Sequence, residues 1–139
     1  MRAFIDTGAF LAIADKSDTF HEMAANILQE LTEQKAILHT SNYIIDETIT
    51  LIRARVNHNA AVAFIKGLEV SNIKVLHVSE KDEQIAKELF IKYKDKDFSY
   101  TDCTSFALID KYSIDAALSL DEHFSHYSYK HGVRHLLVK

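Results

Sequence analysis

The chain has 139 residues, with 16 Lys+Arg against 20 Asp+Glu for a formal net charge of −4, one cysteine, three glycines and no proline. That length suits one ordinary domain over residues 1–139, and the composition excludes a disordered tail, a flexible linker, an intrachain disulfide and a membrane span. The slightly acidic balance excludes recognition of a polyanion by bulk charge, so any such partner must be gripped locally; a reducing cytoplasm is the expected compartment.

Arg2 to Asp6 is a short apolar run broken by Thr7-Gly8, which predicts a strand ending at Asp6 and a short helix through Ala9, Phe10, Leu11 and Ile13. Phe20, Met23, Ala24, Ile27, Leu28 and Leu31 recur at the spacing of one helical face, with Asp18 or Thr19 as the N-cap. Ala36 to His39 reads as a second strand. Thr40-Ser41 then supplies capping side chains for a helix from Asn42 to Val56 that carries Glu47 in its first half. A helix over Ala60 to Leu68, a β-branched strand over Ile73 to Val78 and a Ser79-capped helix through Ile85, Ala86, Leu89 and Tyr93 follow.

Lys94 to Phe98 is a charged loop, after which Ser99 or Thr101 caps a helix that Asp102 opens and that turns Phe106, Ala107 and Ile109 inward. Ala116 to Leu120 is a compact strand ending at Asp121, and Val133 to Val138 is a last strand at a sheet edge. Strands alternating with helices predict βαβ units: an α/β fold with a mainly parallel sheet of about five strands and helices on both faces.

In such sheets the working crevice lies beyond the carboxyl ends of the strands. Asp6 and Asp121 end strands, and Glu47 and Asp102 lie near helix starts, so all four belong to that rim. Singly, each has an ordinary role: Asp6 and Asp121 as turn formers, Asp102 as a charge suited to the helix dipole, Glu47 as a solvated helical charge. Their joint placement favours one site. Like charges brought to about 5 Å repel by on the order of 3 kcal/mol per pair at an effective dielectric near 20, so a cluster needs a countercharge. Oxygen-only ligands select a hard ion, Mg2+ or Mn2+.

Asp6-Thr7 at the end of the first strand, Glu47 in the third helical segment, Thr101-Asp102-Cys103-Thr104-Ser105 and Asp121-Glu122-His123-Phe124 resemble the PIN-domain family of metal-dependent ribonucleases, in particular its small VapC-type toxins. The resemblance covers nearly the whole chain. It implies that Asp6, Glu47, Asp102 and Asp121 are the catalytic quartet holding Mg2+ or Mn2+, that Thr7 and Thr101 give supporting hydroxyls, and that the sheet is a three-layer, Rossmann-like PIN domain. It also implies a homodimer, a cognate antitoxin, and RNA substrates, with structured ones such as transfer RNA among them.

Arg53, Arg55 and Lys96 are the cations assigned to RNA phosphates, while Asp97 is read as structural. His123, His126, His131 and His135 lack the partners of a zinc site and are read as surface and packing residues. Cys103 and most aromatics are read as core, and the aliphatics from Ile44 to Leu68 as a dimer surface. A phosphoaspartate phosphatase or receiver is disfavoured because Asp6-Thr7-Gly8 lacks the second aspartate those patterns require. A non-catalytic module whose acidic pocket takes a basic partner segment stays open as the alternative.

Overall fold

In a computed structural model of the chain, which describes residues 1–136, the strands are β1 (Arg2–Ile5), β2 (Ile37–Ser41), β3 (Lys74–Leu76), β4 (Ala116–Leu118) and β5 (Arg134–His135). The helices are α1 (Thr7–Ala14), α2 (His21–Glu33), α3 (Asn42–Arg55), α4 (His58–Val70), α5 (Glu80–Lys92), α6 (Tyr100–Lys111) and α7 (His123–His126). All strand pairs are parallel and the order is β3-β2-β1-β4-β5. The chain thus winds outward from β1 in both directions, and the order reverses between β1 and β4. An open α/β sheet binds its ligand at the carboxyl ends of the strands beside such a reversal.

β1 is buried except at its first residue, as a central parallel strand must be, and Phe4 stands opposite both His39 and Ala117. Around the sheet, α1 packs on α2 and α3, α3 on α4, and α5 on α6. The α6 helix is buried without interruption from Asp102 to Ile109. A helix buried on all sides, here with Asp102, Thr104 and Ser105 among its buried residues, is one enclosed by the core rather than laid on it. Phe106 anchors it: its ring stacks parallel on Tyr127 at 4.5 Å and meets Phe98 and Phe124 edge-on at 4.9 and 5.2 Å. Cys103 belongs to the same core, as its sequence setting predicts.

Four details differ from the sequence reading. Neither Asp18 nor Thr19 caps α2; Phe20 is its N-cap, and Asp18 Oδ1 instead accepts the Phe20 N–H at 2.8 Å, closing a local turn. α4 begins at His58 because Asn57 Oδ1 caps it, accepting the Ala60 N–H at 2.7 Å. β4 stops at Leu118, so Ser119 and Leu120 lie in a turn and Asp121 sits three residues beyond the last paired position. The surface expected between Ile44 and Leu68 divides: Ile44 and Ile52 are core, whereas Ala60, Ala63, Phe64, Gly67 and Leu68 line an open apolar groove of about 590 Å³ against α1 and α2. At the sheet edge β5 pairs with β4 as expected, while Leu137 and Val138, the end of the predicted last strand, lie outside the described residues.

Candidate metal centre

Asp6 is the N-cap of α1, immediately past β1, and its N–H donates to the Leu118 carbonyl at 3.0 Å, which ties the ends of the two central strands together. Its carboxylate is only 6 % exposed and accepts the Ser119 hydroxyl at 3.0 Å on Oδ2. Ser119 Oγ in turn accepts the Asp121 N–H at 2.9 Å, so one small side chain in the β4 turn links both strand-end acids. Asp121 Oδ1 accepts the His123 N–H at 2.9 Å, the aspartate turn that aspartates favour.

Asp102 reaches the same place from α6. It occupies the third helical position of a capping box, in which Ser99 Oγ accepts the Asp102 N–H and Asp102 Oδ2 accepts the Ser99 N–H, each at 3.0 Å. Glu47 comes from α3, where its Oε1 accepts the Thr7 hydroxyl at 2.5 Å. Together these acids line a crevice of about 420 Å³, with Thr7, Arg55, Asp97, Ser99 and His123 also on its walls. All four carboxylates named from the sequence are brought together.

The supporting residues are divided. The Thr7 hydroxyl donates to Glu47, whereas the Thr101 hydroxyl makes no hydrogen bond to the four acids among the described residues and lines, with Glu47, a hollow beside the crevice. Arg55 lines the crevice, one turn beyond Leu51 and two beyond Glu47 on the same face of α3, whereas Arg53 and Lys96 line neither the crevice nor that hollow. Asp97, read as structural, is an exposed acid on the crevice wall. His123, read as a surface or packing residue, is part of the site: its Nδ1 lies 3.1 Å from Asp102 Oδ2 and 3.2 Å from Asp121 Oδ1. With the proton on Nδ1 the imidazole bridges both carboxylates. Besides its place in the Asp121-Glu122-His123-Phe124 run, its position two residues after a turn-forming aspartate was the sequence signal for this, and the matching position two residues before that aspartate was the signal for Ser119.

Burial pushes the Asp6 carboxyl up to about 7, and the charges of Asp102 and Asp121 add to the shift, against hydrogen bonds from the Thr7 N–H and the Ser119 hydroxyl. Asp102 is raised as well, first by burial and then by Asp121, with Ser99 and His123 opposing. A carboxyl that holds its proton to neutral pH is one short of positive charge. On Asp102, Asp121 and Glu47 the donors fall on a single oxygen, and the other has no hydrogen bond among the described residues. Ligating atoms of Asp102, Asp121 and His123 lie within 4.8 Å of one another. Pinned carboxylates with free oxygens, raised pKa values and an oxygen-dominated donor set fit a hard divalent cation.

Acids gathered at the reversal point of a parallel sheet, suited to such a cation, define a metal-dependent hydrolase of the α/β class. Residues 3–129 match the PIN domain family. Over 122 residues the chain is 31% identical to the 23S rRNA-specific endonuclease VapC20 of Mycobacterium tuberculosis, covering 88% of this chain and 91% of that protein. Over 128 residues it is 30% identical to a VapC ribonuclease of Archaeoglobus fulgidus, covering 90% and 80% of the two chains. The crystal structure of VapC20 superposes with a TM-score of 0.81 at 30% identity over 91% of this chain and 95% of its own. VapBC2 from Rickettsia felis, bound to a promoter DNA fragment, shares the fold at a TM-score of 0.73 and 11% identity, covering 97% and 98%. The chain belongs to the PIN-domain family.

Proposed function

We propose that the protein is an endoribonuclease that hydrolyses RNA phosphodiester bonds at the crevice formed by Asp6, Glu47, Asp102 and Asp121, with Mg2+ or Mn2+ as its cofactor, and that it is the toxin of a toxin–antitoxin pair. The observation that carries this reading is the convergence of four carboxylates, each with one oxygen held by a protein donor, on a pocket where Asp6 stays protonated to about pH 7 unless a cation arrives. A divalent ion bound there supplies charge for the scissile phosphate and lowers the pKa of an attacking water. The chain's own residues do the rest. Ser119, the Ser99 N–H, Thr7 and His123 fix the carboxylates, α6 holds Asp102 rigidly through its buried ring cluster, and Arg55 stands at the crevice to meet a phosphate. Exposed Arg53 and Lys96 serve phosphates farther along the strand.

The substrate class follows from the relatives: VapC20 is named for its action on 23S rRNA, and a structured ribosomal or transfer RNA is the target proposed for this chain. The VapBC assemblies among the structural neighbours support a cognate antitoxin, and the apolar groove lined by Phe64 and Leu68 supports a protein partner, the antitoxin or the second copy of a homodimer. No described helix is long and apolar enough to cross a membrane; the proposed site of action is the cytoplasm, where such RNAs are found.

The test is cleavage of total RNA with and without Mg2+ or Mn2+. Cleavage that needs the metal and vanishes in Asp6→Asn and Asp102→Asn, both with unchanged circular dichroism, is the expected result. Cleavage persisting in both variants under a chelator would refute the assignment.

A further inference from the structure

We infer that the hollow beside the metal crevice is a nucleobase subsite built to read guanine, so that this chain selects the base next to the bond it cuts; the inference rests on the nuclease reading above. The hollow has a volume of about 480 Å³ and shares Glu47 and Leu51 with the crevice as a common wall. A strand whose phosphate lies against the acids therefore has its neighbouring base at this hollow. Its other lining residues are Asn42, Tyr43, Asp46, Thr50 and Thr101. No lysine or arginine is among them, and two carboxylates are, so a phosphate is repelled and a neutral group rich in donors is favoured.

Two side chains give the hollow a polarity pattern. Asn42 Oδ1 accepts the Val78 N–H at 2.9 Å, which fixes the amide orientation and leaves the Nδ2 donors for a ligand. Asp46 lies four residues on, hence on the same face of α3, and its exposed carboxylate offers only acceptors. A donor beside a paired acceptor complements the Watson–Crick edge of guanine, where O6 adjoins the N1–H and N2–H donors. Adenine and cytosine place a ring acceptor where guanine has its N1–H, and cytosine and uracil place a carbonyl where guanine has its N2 amine, so each sets an acceptor against the carboxylate and is rejected. Bases splayed from single strands are read on this edge and stacked on aromatic rings.

The ring is Tyr43. Its hydroxyl donates to Glu83 Oε1 at 2.7 Å, and the Tyr100 hydroxyl donates to the same oxygen at 3.1 Å, so both rings are braced from outside the hollow. Their centroids are 6.4 Å apart with planes inclined by 52°, an arrangement that leaves no parallel slot between them and makes Tyr43 a one-sided platform. Thr50 and Thr101 add hydroxyls at the rim.

The test measures binding separately from cleavage. Short fluorescein-labelled RNAs carrying guanine, inosine, adenine or cytosine at each position in turn are titrated against the Asp6→Asn protein, and the same series is cleaved by the native protein with Mg2+. Guanine is expected to bind about tenfold more tightly than inosine, which lacks the N2 amine, or adenine at one position. Asp46→Asn and Asn42→Asp, the latter keeping an acceptor for Val78, should erase the preference, and Tyr43→Ala should weaken all bases alike. Equal affinity for every base, or a preference that survives Asp46→Asn, overturns the subsite. Absence of metal-dependent cleavage in the native protein with the guanine preference intact instead overturns the nuclease reading alone.

Discussion

Ser79-Glu80-Lys81-Asp82 and Ser99-Tyr100-Thr101-Asp102 are two copies of one local device. Each opens a helix with a capping box, each aspartate accepts the N-cap N–H at 3.0 Å on Oδ2, and both aspartates are buried, at 2% and 7% exposure. They differ in what the remaining oxygen meets. Asp82 Oδ1 lies 3.1 Å from Lys111 Nζ, and although burial raises its pKa, the Ser79 hydrogen bonds and the lysine outweigh that and hold the carboxyl below the usual range. The second oxygen of Asp102 has no hydrogen-bond donor among the described residues, and the charge of Asp121 together with burial holds this carboxyl above that range. One box is electrically complete, and the other is complete only with a cation. The countercharge, and not the motif, separates the two acids.

The sharpest way to break this comparison is to neutralise each acid in turn. Asp102→Asn and Asp6→Asn should each lower RNA cleavage by on the order of a thousandfold, about 4 kcal/mol of transition-state stabilisation, while Asp82→Asn should leave the rate within a few-fold and act on melting temperature alone. Equal loss of cleavage in Asp82→Asn and Asp102→Asn would erase the distinction. Phe106→Ala comes next: removing the ring that stacks on Tyr127 should cost about 3–5 kcal/mol in chemical denaturation, as large core truncations do. It should also loosen Asp102, so that cleavage falls even where the variant remains folded, whereas α5 and its Asp82–Lys111 pair keep their geometry.

Much of this was legible along the chain, because strand and helix identity is a local property. Ser41, Ser79 and Ser99 cap the helices they were expected to cap, and Asp6 follows a strand whose apolar run leaves it no other place. The four acids were legible for the same reason, since each is tied to the end of an element. What escaped were choices of partner across long separations. Lys111 finds Asp82 from 29 residues away, and nothing in its own helix marks it. His123 turns back onto Asp102 because Asp121 forms a local turn just past a strand shorter than its apolar run, and Thr101 lines the neighbouring hollow and not the crevice because it lies one residue, and so about 100°, around the helix from Asp102. Periodicity sets which side a helical residue takes only after the buried side is known, and α6, buried throughout its middle, gives no such reference.

Titration sharpens the contrast with a change of sign. Unfolded, Asp6 releases its proton near the ordinary 3.8; folded, it keeps it to about 7. Between those values the unfolded chain binds fewer protons than the native one, so metal-free stability should fall as pH rises, with Asp6 contributing about 4 kcal/mol of the loss, which levels off once the pH has passed about 7. Asp82, depressed when folded, contributes stability that is present above the ordinary carboxylate range and lost as pH falls through its folded value. Urea denaturation in chelator from pH 4 to 8 should therefore show a decline toward neutrality that Asp6→Asn reduces, leaving the part due to Asp102, and that saturating Mg2+ reverses, since a ligand bound only by the fold adds stability. A stability that rises steadily across that range in chelator would mean that Asp6 is not held protonated.

The smallest effect lies on the completed box. Lys111→Met removes the ammonium but keeps most of the stem, leaving Asp82 buried with its two Ser79 hydrogen bonds and no countercharge. Stripping one partner from a fully buried pair typically costs about 3–5 kcal/mol, but Lys111 is 45% exposed and water screens it, so about 1–2 kcal/mol is the expected loss. The loss should be regained in the double variant Lys111→Met with Asp82→Asn, because the amide keeps an oxygen for the Ser79 N–H and brings no charge to bury. The double variant should then have the stability of Asp82→Asn alone, to within a few tenths of a kcal/mol, and it should not respond to Mg2+ in any way the native protein does not. A gain of Mg2+ binding at Asp82 in Lys111→Met alone would show that an N3 aspartate deprived of its lysine recruits a cation from solution, the behaviour proposed for Asp102.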